Sequence, residues 1–554
     1  MQLEGYTDLT RLTKGGMATL YKGQQQSLDR AVVIKFLSAE FLWDEQVKQF
    51  FDQESLVIAR LNHPNIIHII DRGITPKGRP YFVMEYVQGK DLTELMKQAR
   101  LSQTQCLQIL MQVCKGMGFA HKNGVIHRDI KPANILLDDE NHVHILDFGI
   151  AWLEASGAPK DSEVVGTPDY MSPEQFSAPQ LVSHLSDLYS LGVLMYEMFC
   201  GELPTSHLDD LPKSMAALPK ELSQLIQQCL NVDAENRPAS ADEVRFELLK
   251  ILKGAHLDNA QKAEAKAAIG GLADNFSLLD VINRSKYGAV YLFEDKVRHN
   301  LIVVKKRVNS HAGFEQGKKL HHIKHEKIIR ILGVSKNDKA FIVVMEYLTG
   351  GSLQERLSRP HSSFRFTEVA LAVCQALQFA HQNHVIHGNL RPSNILFDEK
   401  GAIKITDFGF DNHYKEQQLS DWYHPDKTVA ASVDEDIVSA GLIFYQMLTG
   451  SDAKLTSGQL RKNQKFDGLP VKLQQLIKGM LETSSYRRYQ HFSDLIPLLK
   501  QVQKDALKMQ PSKKIFKLRH FFMILLSANV LMALLLYQMN VEFNQYVTEV
   551  IKRW

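Results

Sequence analysis

Apolar positions along this chain fall into two short rhythms and one long run. From about Tyr6 the pattern predicts strands. The β-branched run Ala31-Val32-Val33-Ile34-Lys35-Phe36-Leu37 reads as a buried strand, and Tyr81-Phe82-Val83-Met84-Glu85-Tyr86-Val87 as another. Helical periodicity from Gln103 to Asn123 then predicts one long helix. The same blocks return later. Phe341 to Tyr347 repeats the second strand, and Phe379 to His387 repeats Phe119 to His127 almost residue for residue. Asn394-Ile395-Leu396-Phe397 follows Asn134 to Leu137, and Thr406-Asp407-Phe408-Gly409 carries the triplet Asp147-Phe148-Gly149 again. Internal repetition on this scale predicts two copies of one unit. The last rhythm is a single run, Phe521 to Met539, nearly all apolar.

That run holds only Ser527, Asn529 and Gln538 as clearly polar positions. As a helix of roughly 19 residues it reaches about 28 Å, enough for a bilayer core. A buried core helix is the alternative, but a core helix would carry a polar face. Lys504, Lys508, Lys513, Lys514, Lys517 and Arg519 precede the run, with Asp505 as the one acid, and Lys552 and Arg553 follow it. The positive-inside rule places everything before the run in the cytoplasm.

Composition adds mainly exclusions. At 554 residues, 44% hydrophobic and 23% charged, the chain is of ordinary globular type with room for more than one domain. A net charge of +3 with no basic stripe interleaved with aromatics argues against nucleic acid. Cys106, Cys114, Cys200, Cys229 and Cys374 are scattered and form no C-x-x-C pair, which argues against zinc and fits a reducing compartment. The first residues, MQLEGYTDLT, have no apolar stretch of signal-peptide type.

The chemistry concentrates in His127-Arg128-Asp129-Ile130-Lys131-Pro132-Ala133-Asn134 and in Asp147-Phe148-Gly149. Two carboxylates and an amide at this spacing suit phosphoryl transfer from a metal-bound nucleotide. Asp129 can accept a proton from an attacking hydroxyl, while Asn134 and Asp147 offer hard oxygens to magnesium. Lys35 lies inside a buried strand, where an unpaired charge is expensive, so it needs a partner. Glu54 is the candidate, with a solvated helix face as its alternative.

These segments match the signatures H-R-D-L-x-x-x-N and D-F-G, and the chain resembles the eukaryotic-like (Hanks-type) serine/threonine protein kinases of the bacterial membrane-anchored kind. The resemblance implies ATP and Mg2+ as cofactors and protein substrates as partners, and it admits a homodimer. It makes Leu12, Gly15, Gly16, Ala18 and Leu20 the loop over the nucleotide, although a Gly-Gly hairpin turn also fits that stretch. It makes Met84 the gatekeeper and brings the backbone of Glu85 to Val87 to adenine. Lys35 would hold phosphates, Glu54 orient Lys35, Asp129 act as base and Lys131 steady the transferring group. Arg128 would meet a phosphate on the segment from Asp147 to Glu174, where Ser156, Ser162 and Thr167 are the candidate acceptors. His121 and Asp187 read as structural, and Arg237 as the partner of Glu174.

In the second copy His127-Arg128-Asp129 becomes His387-Gly388-Asn389, Lys131 becomes Arg391, and Glu54 aligns with Gln316, beside Glu315. Ser172-Pro173-Glu174 becomes His424-Pro425-Asp426, while Lys305, Asn394, Asp407, Asp436 and Arg488 are kept. An amide cannot serve as a general base. This copy therefore resembles a pseudokinase. The expected fold is α+β, with two tandem two-lobed kinase-like domains and one C-terminal transmembrane helix. The expected parts are a kinase domain at 6–253, a linker at 254–274 and a kinase-like domain at 275–504. A basic juxtamembrane segment at 505–520, the membrane helix at 521–539 and an extracytoplasmic tail at 540–554 complete the chain. The rival expectations are a non-catalytic kinase-fold scaffold and a kinase acting on a small molecule. The Gly-Thr-Pro-Asp-Tyr run at 166–170 weighs against the latter.

Overall fold

The computed structural model describes residues 3–509, apart from 16, 99–100, 149–167, 205–214, 287, 309–313, 337–339, 399, 410–431, 454, 457–458, 462 and 483. The expected membrane segment 521–539, its flanks from 510 onward, and Ser156, Ser162, Thr167 and Gly16 lie outside the described residues. Among the described residues no helix is long and apolar enough to cross a membrane.

The first unit opens with five strands, β1 (Tyr6–Lys14), β2 (Ala18–Gln25), β3 (Arg30–Leu37), β4 (Ile69–Ile74) and β5 (Pro80–Glu85). They form one antiparallel sheet in the order β1-β2-β3-β5-β4. On β3, Val32, Ile34 and Phe36 are fully buried, while Lys35 points to the opposite face. The strand expected to run from Tyr81 to Val87 ends at Glu85, whose carboxylate accepts from the His68 amide at 2.8 Å. Between β3 and β4 lies α1 (Glu45–Ile58), capped by Asp44, which accepts from the amides of Gln46 and Val47.

The second lobe is helical. After β6 (Gly89–Asp91) and α2 (Leu92–Gln98) comes α3 (Gln103–Lys122), started by a reciprocal cap between Ser102 and Gln105. Its buried positions Cys106, Leu110, Val113, Cys114, Met117 and Ala120 follow the helical period. A small sheet of β6, β7 (Ile135–Asp138) and β8 (Val143–Ile145) holds the loop between α3 and β7. Then follow α4 (Pro173–Ser177), α5 (His184–Cys200), α6 (Lys220–Cys229) and α7 (Ala241–Leu252). Helix α5 is the core of this lobe. A side chain at Gly192 would meet Cys229 Cβ at 2.7 Å, so glycine is what lets α5 and α6 touch.

The second unit repeats the plan. Strands β9 (Phe276–Ser285), β10 (Gly288–Asp295), β11 (Leu301–Val308), β12 (Ile331–Lys336) and β13 (Ala340–Glu346) give the sheet β9-β10-β11-β13-β12. The short pair β14 (Ile395–Phe397) and β15 (Ile403–Ile405) matches β7 and β8. Helix α8 (Asn259–Ile269) precedes the sheet, and α9 (Phe314–His322) lies between β11 and β12. The helical lobe carries α10 (Ser363–Gln382), α11 (Val433–Thr449), α12 (Gln464–Asp467), α13 (Val471–Met480) and α14 (Phe492–Met509). Gly441 on α11 repeats the close approach of Gly192, facing Met480 Cβ at 2.9 Å.

Two stretches at the expected domain bounds carry helix. In the segment 254–274, expected as a linker with some helix, α8 lays Ala265 and Ala268 on Tyr291, Phe293, Ile302 and Val304 of the second sheet. The last helix runs through Lys504 to Met509, so part of the expected juxtamembrane segment is helical, with Asp505 paired to Lys472 at 3.2 Å. Apolar burial is continuous from the first unit into the second.

Candidate active site

The site lies between the lobes of the first unit. Lys35 Nζ is 2.8 Å from Asp147 Oδ1 and 3.2 Å from Glu54 Oε1. Strand β3 delivers the lysine, α1 the glutamate, and the turn after β8 the aspartate. Burial alone would pull Lys35 down, but Asp147 and Glu54 overcome it and hold its pKa above the ordinary value, so it stays charged. Burial opposes ionisation of Asp147, yet Lys35 holds that carboxyl below its usual range. Glu54, farther from the lysine, is pushed up by burial.

The catalytic-type loop is held by a second network. Buried Asp187 on α5 accepts from the amides of His127 at 2.7 Å and Arg128 at 2.6 Å, and from His121 Nε2 at 2.7 Å. This fixes Arg128 in a left-handed conformation (φ 70°), and Asp147 adopts another (φ 47°). His127 Nε2 donates to Leu146 O at 2.8 Å, which ties the loop to the Asp147 turn. Asn134 Nδ2 donates to Asp129 O at 2.7 Å and to Asp129 Oδ2 at 2.9 Å, so the amide oxygen is the atom offered to a cation. Lys131 Nζ lies 2.8 Å from Asp129 Oδ2. Asp129, Asn134, Lys131, Asp147, Lys35 and Glu54 therefore converge on one cleft.

The remaining expected residues border it. Leu12 and Gly15 are exposed on the β1–β2 edge, Ala18 and Leu20 are half-buried on β2, and Gly15 N donates to Ala18 O at 2.9 Å. Glu85 and Val87 sit half-buried where the lobes join. Arg237 grips Glu174 with two bonds of 2.7 and 2.9 Å, and this holds the Glu174 carboxyl down at about 2 although burial opposes it. Sequence reasoning missed Gln175, whose Nε2 donates to Arg128 O at 3.0 Å; no motif marks that position.

In the second unit Lys305 Nζ is 2.5 Å from Asp407 Oδ2, and Asp436 holds the amides of His387 and Gly388 at 2.9 and 2.8 Å. Gly388 takes the left-handed conformation of Arg128 (φ 64°) without strain. Asn389 is buried where Asp129 stands in the first unit. Gln316 packs against Gly409, while Glu315 is exposed. Arg488 pairs with Asp434 at the start of α11.

A lysine clamped by two carboxylates, beside an aspartate held by an asparagine and a lysine, defines a two-lobed phosphotransferase fold. The protein kinase domain family matches residues 6–248 and 276–517, and the chain belongs to that family. Among curated proteins it is similar to serine/threonine-protein kinase pkn3 of Myxococcus xanthus. The two are 35% identical over 282 residues, covering 46% of this chain and 51% of that protein. A probable serine/threonine-protein kinase of Clostridium perfringens is 35% identical over 274 residues, covering 47% of this chain and 40% of that one. Serine/threonine-protein kinase PknB of Mycobacterium tuberculosis is 34% identical over 261 residues, covering 43% and 42%. The chain spans about half, or less, of the length of the curated relatives it matches.

Proposed function

We propose that the first unit is an ATP-dependent protein serine/threonine kinase, that the second unit regulates it without catalysing transfer, and that residues 521–539 anchor the chain in a membrane. The observation that carries the catalytic reading is Lys35 set between Glu54 and Asp147 beside an Asp129 held by Asn134 and Lys131.

The donor set fits a magnesium nucleotide: Asp147 supplies a carboxylate, Asn134 an amide oxygen, and Lys35 a charged donor for phosphates. Bound there, magnesium ATP supplies an electrophilic γ-phosphoryl group. The protein positions and moves one proton. Asp129 accepts the proton of the substrate hydroxyl as its oxygen bonds to the γ-phosphorus, while the bond from that phosphorus to the β,γ-bridging oxygen breaks and ADP leaves. Lys131 offsets the negative charge gathering beside Asp129. The Asp187 network holds this loop at the His127 and Arg128 amides. Incubated with magnesium ATP and a generic protein substrate, the full chain should transfer phosphate to Ser and Thr. Asp129→Asn should lower the rate by roughly 10² to 10⁴, the range for losing a general base. Equal rates in the two proteins would refute the assignment.

The regulatory reading draws on the contact between units. Lys122, at the end of α3, pairs with Glu355 at 2.6 Å, and Asn123 Nδ2 donates to Glu355 O at 2.8 Å. Tyr347, just past β13, stacks on Phe246 of α7 with 16° between the rings. Arg245 reaches Asp280 at 3.4 Å. A cavity of about 240 Å³ between the units is lined by Val57, Arg60, Ile126, Arg128, Ser358 and Arg359 among others. The second unit thus bears on the four residues that separate α3 from His127.

A further inference from the structure

The peptide that joins Arg128 to Asp129 is held at both ends. Its N–H, that of Asp129, donates to His127 Nδ1 at 3.2 Å. Its carbonyl, that of Arg128, accepts from Gln175 Nε2 at 3.0 Å. His127 can accept at Nδ1 because its Nε2 donates to Leu146 O at 2.8 Å, which sets the neutral tautomer. Burial favours that neutral ring and holds its pKa below the ordinary value. The Asp129 side chain hangs from the Cα at the end of this planar unit, so turning the peptide moves the carboxylate. Arg128 itself has φ 70°, a region that side chains rarely adopt, and the loop shape therefore depends on its partners. Asp187 takes the Arg128 N–H at 2.6 Å, and Gln175 takes the C=O.

Gln175 lies in α4 and faces two ways. Its Oε1 accepts from Ser172 N at 3.0 Å and from Ser172 Oγ at 3.1 Å, while its Nε2 meets Arg128 O. The orientation of the amide is forced, because a backbone N–H only donates and a carbonyl only accepts. Both Gln175 and Ser172 are buried. Helix α4 is fastened in turn, since Glu174 grips Arg237 and accepts from Ser186 Oγ at 2.7 Å.

A cap of this kind is completed by Glu or by Gln three residues after the serine. Glutamate would set a second carboxylate oxygen against Arg128 O. Only the amide closes the cap and also donates to the loop. In the second unit, where Asn389 replaces the base, Lys427 follows His424-Pro425-Asp426, and a lysine has no acceptor for such a cap.

We propose that Gln175 is a positioning residue for phosphoryl transfer. Through the Arg128 carbonyl it fixes the peptide that carries Asp129, and so ties the alignment of the base to the seating of α4. The inference rests on Asp129 as the base. Its effect falls on kcat, because Lys35, Glu54 and Asp147 hold one another on the nucleotide side of the cleft.

The test compares full chains carrying Gln175→Glu, Gln175→Met or Asp129→Asn by steady-state kinetics with magnesium ATP and a generic protein substrate, beside melting curves. Gln175→Glu keeps the acceptor for Ser172 and removes the donor. Its kcat should fall by about 10- to 100-fold, the range for a buried carbonyl left unpaired, with KM for ATP and the melting temperature little changed. Gln175→Met removes both roles but sets no oxygen against the carbonyl. It should melt earlier and yet lose only about 2- to 10-fold in kcat, the range for one neutral hydrogen bond. Activity and stability thus rank the two variants in opposite order, which a merely structural residue does not produce. An unchanged kcat in Gln175→Glu, a loss that appears only in KM for ATP, or kcat values that follow the melting temperatures overturns the proposal. If Gln175→Glu fails to fold, an unchanged kcat in Gln175→Met does so. Equal rates for wild type and Asp129→Asn would instead overturn the assignment of the base.

Discussion

Lys122 and Glu355 stand 233 residues apart in sequence and 2.6 Å apart in space. Lys122 also reaches Asp242 at 2.9 Å, so one buried ammonium neutralises two carboxylates across the two units. Removing the lysine leaves Asp242 and Glu355 facing each other, whereas removing Glu355 leaves Lys122 with a partner. Lys122→Met should therefore loosen the contact more than Glu355→Gln. Glu355 is 37% exposed, so its loss should cost only about 1 kcal/mol, the upper range for a solvent-screened pair. Urea unfolding followed separately in each unit, with the double variant closing the cycle, measures both. Equal effects would show that Asp242 does not share the lysine.

Glu54→Gln copies into the first unit the residue that the second unit has at Gln316. Lys35 would keep Asp147 at 2.8 Å and lose the Glu54 carboxylate at 3.2 Å. The expected outcome is a fall in kcat/KM for ATP of about 10- to 100-fold, the size of one charged hydrogen bond. Thermal unfolding should change little, because burial already disfavours the glutamate's charge. Steady-state kinetics beside a melting curve decides it. A collapse of the fold would make Glu54 structural.

Acid should act through Glu174. Its folded-state pKa is held at about 2 against an ordinary 4.5, by Arg237 and Ser186 working against burial. A depressed carboxyl pKa contributes stability that is fully present above about pH 4.5 and is lost as pH falls toward 2. Glu174→Gln should be less stable at neutral pH and should lack this component of the acid transition. The urea midpoint of both proteins between pH 5 and 2 tests it. Parallel curves would assign the acid sensitivity to other carboxyls.

Much of this site could be read from the chain because its demands are local or absolute. A lysine inside an apolar strand requires a carboxylate, and the loop spacing brings Asp129, Asn134 and Asp147 within reach of one another. The two-unit fold was legible because the second unit repeats whole blocks. What escaped depends on partners remote in sequence. Lys122 looks like any polar residue at a helix end, and Glu355 like any surface acid. The stretch holding α8 read as a linker with some helix, and its packing escaped because its buried positions, Ala265 and Ala268, are too small to announce a core face.

If the second unit regulates the first, an intact contact should matter to catalysis as well as to stability. Asn123 and Gly124 lie directly before the loop that carries Asp129, and Asn123 is held by Glu355 O and Ser358. Arg359 covers Gly124 closely enough that a side chain there would overlap its guanidinium. Gly124→Ala should therefore displace the Arg359 guanidinium from the contact and change the autophosphorylation rate several-fold without touching any group in the cleft. Gly124 also has a φ of 69°, where alanine is strained, so Arg359→Ala provides a second reading free of that strain. Unchanged rates in both variants would make the second unit a spacer.

The proposed anchor fixes which side of the membrane each part occupies. Six Lys and Arg precede residues 521–539 between Lys504 and Arg519, and two follow, Lys552 and Arg553. Positive charge resists transfer across the inner face, so the two kinase-type units should lie in the cytoplasm, where ATP is abundant, and residues 540–554 outside. In the first unit Cys106, Cys114 and Cys229 are buried and react slowly, and the half-buried Cys200 is replaced as Cys200→Ser. A single cysteine at Asn544→Cys should react with a membrane-impermeant maleimide in intact cells. One at the exposed Lys77→Cys should react only after lysis. Labelling of Lys77→Cys in intact cells would reverse the topology. Labelling of neither before lysis, together with release of the chain by high salt, would remove the anchor altogether.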